Sequence, residues 1–246
     1  MENQFDPRAT GGQAASVGVP RAARDVGLRA YMLSVYNYMA SGVLLTAIVA
    51  LLFAPYAKDV LISQTGRGLS GLGWIVTLAP LGFVFALSLG ANRMQLGTMK
   101  LVFFAFAAVM GLSMSTVFIA YTGVSIAQTF MAVTASFMAL SLFGYTTKKD
   151  LSGMGTFLIM GVVGLIVAMV INLFLHSTAM QLAISAIGVL LFAGLTAYDT
   201  QKIKSMYAYV SGGDMAGKTA IMGALRLYLD FINMFQFMLS FMGNRR

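Results

Sequence analysis

Only eight acidic side chains occur in this chain of 246 residues, and six of them, Glu2, Asp6, Asp25, Asp59, Asp150 and Asp214, fall in the N-terminal tail or in connections between apolar runs. The other two, Asp199 and Asp230, touch apolar runs, and Asp230 lies more than ten residues inside its own. A carboxylate in a hydrocarbon environment costs about 2.5–3.5 kcal/mol on insertion scales, so it faces the protein interior and marks an ion pathway or a proton site. Two such groups close together in a low dielectric do not both ionise easily and instead share one proton. A hydrogen-bonded acid pair would hold its two segments together. Loss of the proton would part them or recruit a divalent cation, and calcium suits oxygen ligands of this kind, which makes Asp199 and Asp230 the candidate calcium ligands as well. The chemistry on offer is a gate that responds to protons and calcium. Asp199 has a plainer reading as a hydrated helix-end residue, because Lys202 and Lys204 follow it.

The run that carries Asp230 is the least hydrophobic of the set, and its polar or small residues Gly223, Arg226, Asp230 and Asn233 recur at intervals of three, four and three. That spacing is one face of a helix. A helix with such a stripe turns it away from lipid, so this run belongs at the centre of a bundle with Asp230 facing inward. Gly223 and Asn233 are then candidates to line a pore, and the alternative is a stripe that only joins helices.

The elements around it follow from composition. The chain is 59% hydrophobic and 10% charged, against ~25% charged in soluble domains. Its apolar residues fall in seven runs, approximately 32–55, 73–92, 99–121, 125–145, 155–175, 179–200 and 219–242, each near the ~20 residues that cross a bilayer. The expected fold is an all-α integral membrane bundle of seven transmembrane helices over 31–246, with the last helix enclosed by the other six. Residues 1–30, polar and rich in Gly and Ala, are expected to form a disordered cytoplasmic tail without the apolar core of a signal peptide. Short connections predict antiparallel neighbours that pack side by side.

The net charge of +8 sits in short clusters between the runs and not along an amphipathic face, which argues against nucleic acid and for anionic lipid. The side that holds the tail collects Arg8, Arg21, Arg24, Arg29, Arg93, Lys100, Lys148, Lys149, Lys202, Lys204 and Lys218, whereas Lys58, Arg67, Arg245 and Arg246 fall opposite. By the positive-inside rule the N-terminus is cytoplasmic. Seven crossings put the C-terminus outside, and a re-entrant last segment would return it. Cysteine is absent, which removes disulfides, thiol nucleophiles and thiolate metal sites. The single histidine, His176, reads as a solvated turn residue.

Residues 144–149 (Gly-Tyr-Thr-Thr-Lys-Lys) and 197–202 (Ala-Tyr-Asp-Thr-Gln-Lys) match at an offset of 53 and end the fourth and sixth runs. Either two helical hairpins are related units or the match is coincidental. Thr146 stands where Asp199 does, so ending such a helix does not require a carboxylate.

The segment 197–202, with Leu-Tyr-Leu-Asp-Phe-Ile-Asn at 227–233, resembles the hallmark segments of the transmembrane Bax inhibitor motif family, and the likeness extends over nearly everything after residue 28. The ending Gly243-Asn244-Arg245-Arg246 and the stretch 144–153 are similar to bacterial inner-membrane members. The resemblance implies a seven-helix fold around the last helix and a pH-sensitive calcium leak governed by two aspartates, at positions that Asp199 and Asp230 match. It also implies an arginine at the inner end of the second helix that engages the pair, for which Arg93 is the best match. Arg226 is a departure, standing where related sequences often have a small polar residue. One turn before Asp230, it either favours ionised carboxylate or snorkels to the interface.

Two further readings stand beside the leak. The aspartates resemble the layout of intramembrane aspartyl proteases, but those carry Gly-x-Gly-Asp and a downstream Pro-Ala-Leu, whereas Tyr228-Leu229 precede Asp230 here and no proline follows Pro80. The expectation is therefore not an enzyme. Some bacterial relatives are linked to a membrane-anchored ATP-dependent quality-control protease, so the resemblance also implies a regulatory partner role, with the tail as handle.

Overall fold

A computed structural model describes residues 21–63, 68–91, 93–210 and 213–245. The expectations for residues 1–20, Arg67 and Arg246 lie outside these. The helices are α1 (Arg21–Leu61), α2 (Gly71–Gly90), α3 (Leu96–Met114), the four-residue α4 (Val117–Ala120), α5 (Gly123–Thr146), α6 (Ser152–Leu175), α7 (Thr178–Met206) and α8 (Gly213–Met242), with a 3-10 turn at Tyr207–Tyr209. Each apolar run is thus a helix, the third being α3 continued by α4. Starts are set by local chemistry: Ser70, Thr122 and Ser177 each accept a hydrogen bond from the backbone N–H three residues on, satisfying donors that a helix leaves free at its first turn. Gly68, at φ 83°, supplies the left-handed residue in the turn before α2. His176 is exposed and closes α6 in the same left-handed region, at φ 51°, as a turn residue should.

α1 begins at Arg21, so residues 21–30, expected in the disordered tail, are helical. Ala and Leu are strong helix formers, and the extension is anchored where Tyr31 meets Tyr207, ring centroids 5.4 Å apart, with Gly27 against the Tyr207 ring.

Among the described residues six segments are long and apolar enough to cross a membrane: α1, α2, α3 with α4, α5, α6, and α7 with its 3-10 turn. α8, with 30 residues, spans roughly 45 Å at 1.5 Å per residue, but its polar stripe makes it less apolar than the rest. It is one uninterrupted helix. Its end lies by the start of α5, where Thr122 N–H donates to Asn244 O and Asn244 N–H to Ser125 Oγ. The re-entrant alternative therefore has no break in α8 to produce it.

The expectation that six helices enclose the last one is corrected: α8 packs mainly on α1, α3, α5 and α7, while α2 stands outside against α3 and α1, and α6 outside against α7. Burial follows this order. α8 is buried nearly all round, whereas α6 buries only Gly155, Leu158 and Leu165. The inward face of α5 is a row of Ser125, Thr129, Val133, Phe137, Ser141 and Gly144, spaced to keep one side of a helix toward the core.

Neighbours in sequence are not always neighbours in space. The link between α5 and α6 leaves those two helices apart, because both pack chiefly on α7. Glycines explain the close approaches: a side chain at Gly144 would run into the backbone of Ala197, and one at Gly155 into the ring of Tyr198. Gly144 and Ala197 are equivalent positions of the repeated segment, and they meet face to face. An Ala at 144 is expected to destabilise the fold by about 1–3 kcal/mol, the range for overpacking, read as a lower thermal midpoint in detergent than wild type. Gly153, whose added Cβ would meet nothing, is the control: its Ala variant should match wild type.

At the bundle centre, Tyr228 of α8 is fully buried, with its hydroxyl 2.6 Å from Thr46 Oγ1 of α1, and Thr46 also donates to Ala107 O of α3 at 2.8 Å. Phe103 and Phe106 stand edge-on to its ring, at 6.2 and 5.1 Å. A Tyr228→Phe variant keeps the ring contacts and loses one hydrogen bond, so thermal unfolding should show a loss of about 1 kcal/mol.

Candidate functional site

Asp199 projects from α7 and Asp230 from α8, the two helices in the most extensive contact in the bundle. Asp230 is 4% exposed, and its Oδ2 has no hydrogen-bond partner. An oxygen left so is unusual, since buried polar groups are nearly always paired. The Asp199 side chain is 14% exposed and lies 3.9 Å from Nη1 of Arg226, too long for a direct hydrogen bond but close enough for strong attraction at a partly dry site. The charges of Asp199 and Arg226 both act on Asp230, and those of Arg226 and Lys202 on Asp199. Arg226 lies one turn before Asp230 on α8 and reaches across to α7, at 40% exposure.

Among the described residues the one ion pair is Arg226 with Asp199. Arg93 is exposed in the turn between α2 and α3, where its backbone N–H donates to Gly90 O, so of the two candidate arginines it is Arg226 that sits with the aspartates. Gly223 is buried against Ile203 of α7, leaving a side chain at that position little room. Its role in this arrangement is close packing of α7 on α8. Asn233 donates from its amide to Leu229 O in its own helix. A hollow of about 350 Å³ between α1, α3, α4, α5 and α8 is walled mainly by apolar side chains including Val43, Met114, Phe130 and Phe235, with Thr46 the polar exception.

Among the described residues no three His, Cys, Asp or Glu side chains converge as a metal site. Two carboxylates beside a guanidinium are a sparse donor set for a resident calcium ion, which takes about six to eight oxygens. The residues do not fit a bound calcium in this arrangement.

Several polar groups that tie α7 to its neighbours escaped the sequence reading. Thr200, fully buried one residue after Asp199, pairs with Ser141 of α5 at 3.0 Å, and Thr196 and Thr200 bond back to the carbonyls of Phe192 and Thr196. At the far end Ser240 of α8 receives hydrogen bonds from Gln181 and Ser185 of α7, each 3.1 Å. The four-residue spacing of Thr196 and Thr200 was the available signal, a short polar row in an apolar run.

The family model described as inhibitor of apoptosis-promoting Bax1 matches residues 28–246. An uncharacterized protein of Rickettsia prowazekii is 47% identical, over 90% of this chain and 92% of its own length. An uncharacterized protein of Caulobacter vibrioides is 43% identical over 96% and 97%. The inner membrane protein YbhL of Escherichia coli is 43% identical over 94% and 97%.

Proposed function

Since the chain belongs to the Bax inhibitor family of membrane proteins, we propose that it is a pH-sensitive calcium-permeable leak channel in which Asp199 and Asp230 share one proton and gate the contact of α7 with α8. The observation that carries this reading is the buried Asp230 oxygen without a partner, on the helix that four others surround. Burying an acid oxygen without a partner costs stability where an apolar side chain would not. Across from it, Asp199 is the one other carboxylate whose charge acts on it.

In this reading α8 is a seventh crossing, the N-terminus is cytoplasmic, and the protein resides in a bacterial inner membrane, as the relative named for that membrane does. Gln181, Ser185 and Ser240 hold α7 and α8 together at one end with neutral hydrogen bonds, so pH acts at the other. There the shared proton keeps the helices closed. Its loss lets the carboxylates repel, the helices part, and calcium passes as cargo along carboxylate oxygens freed for it. The charge of Arg226 acts on both carboxylates and that of Lys202 on Asp199.

The test is calcium uptake into liposomes that contain the full chain, across a series of pH values, with protein-free liposomes alongside. Uptake should exceed the protein-free rate and climb as pH rises. Rates equal to protein-free liposomes at every pH would overturn the leak reading.

A further inference from the structure

The link between α5 and α6 is pinned to α7 by one side chain. Gln201 donates from Nε2 to Lys149 O at 2.8 Å, and its Oε1 accepts from Leu151 N–H at 2.8 Å. The pinning sets Lys148 and Lys149 of the link over Lys202 of α7, around a hollow of about 450 Å³ that Tyr198 and Ser205 also line. Lys202 is steadied there, its Nζ donating to the Tyr198 hydroxyl at 3.3 Å and lying 5.4 Å from the centre of that ring. Tyr198 is itself seated against Gly155 of α6.

The one carboxylate at the rim, Asp150, is turned to the start of α6, where Ser152 N–H donates to it at 2.9 Å. Hydrogen bonds from Ser152 hold its carboxyl below the usual carboxylate range. It stays ionised and favours the start of α6, so against the three lysines that line the hollow the rim still carries a net positive charge. α5 ends at Thr146, α6 starts at Ser152 and α7 ends at Met206, so the hollow lies at the end of the bundle. Just along α6 the outer wall turns apolar, with Met154 45% and Phe157 70% exposed.

We propose that this hollow binds the phosphate headgroup of an anionic phospholipid, with its acyl chains laid along the outer face of α6. A soluble phosphate would satisfy the lysines equally. It would have no use for the exposed Met154 and Phe157 beside them, and that adjacency selects a lipid. Basic hollows between transmembrane helices are suited to such headgroups.

The experiment is native mass spectrometry of the full chain in mild detergent, offered equal amounts of phosphatidylglycerol and phosphatidylcholine. Wild type should retain phosphatidylglycerol preferentially, and K149Q/K202Q should retain roughly tenfold less of it. K100Q/K218Q removes the same charge from outside the hollow and should retain as much as wild type. Thermal midpoints verify that both variants are folded. Equal retention of the two lipids by wild type, or equal losses in the two double variants, would overturn the proposal. Displacement of the lipid by inorganic phosphate at equal concentration would overturn it in favour of a soluble anion. Calcium uptake is not the readout, so failure here leaves the leak reading to its own test.

Discussion

An Asp230→Asn variant should leak calcium at a rate that no longer changes with pH. The amide keeps the shape of the acid, but it has no proton to lose in the working range. If one proton closes the contact of α7 with α8, wild-type leak rises about tenfold per pH unit below its midpoint, and the variant profile is flat. The flat level should be low, because a neutral amide does not repel the Asp199 carboxylate. Asp199→Asn should give the same flat profile, since either residue alone cannot share a proton. A thermal midpoint near that of wild type separates this result from misfolding, and the isosteric change at a site 4% exposed leaves packing almost untouched. An Asp230→Asn protein with the wild-type pH profile would remove Asp230 from the gate.

Arg226→Ser should keep the pH response and move it. The guanidinium lies 3.9 Å from Asp199, where its charge favours the proton-free arrangement of the carboxylates. Withdrawing it means that half-maximal leak requires more alkaline solution. Arg226 is 40% exposed, so solvent screening tempers the displacement that follows its removal. Lys202→Gln should move the midpoint the same way by less, because Lys202 is engaged with Tyr198. Arg93→Ser should not move it, as Arg93 lies exposed in another turn. Leak measured across pH for the three variants checks the order, and an Arg226→Ser midpoint equal to wild type would show that Arg226 only snorkels to the interface.

Much of the bundle was legible in the sequence because hydrocarbon leaves a chain few options: backbone groups must be satisfied within each segment, so an apolar run of sufficient length becomes a helix. The stripe of Gly223, Arg226, Asp230 and Asn233 gave the central position of α8, and burial of that helix nearly all round agrees. Side-by-side order was not legible. Link length suggested that α5 and α6 are adjacent, but close approaches at Gly144 and Gly155 wedge α7 between them, and no local rule encodes a contact between residues about 50 positions apart. Within the stripe, spacing placed four residues on one face without saying how each is used. Gly223 packs, Asn233 bonds its own helix, and Arg226 reaches Asp199. Apolarity, not helix propensity, drew the boundary at residue 31, and α1 begins ten residues before it, at Arg21.

In the proposed gate a single proton is held between Asp199 and Asp230, and infrared spectroscopy of the full chain in liposomes observes it directly. Difference spectra across the pH series should show the carbonyl stretch of one protonated carboxyl disappearing over the interval in which calcium uptake rises, with that transition absent in both Asp199→Asn and Asp230→Asn. A wild-type carboxyl band that survives through the rise in uptake, or one that still titrates in either variant, would contradict it.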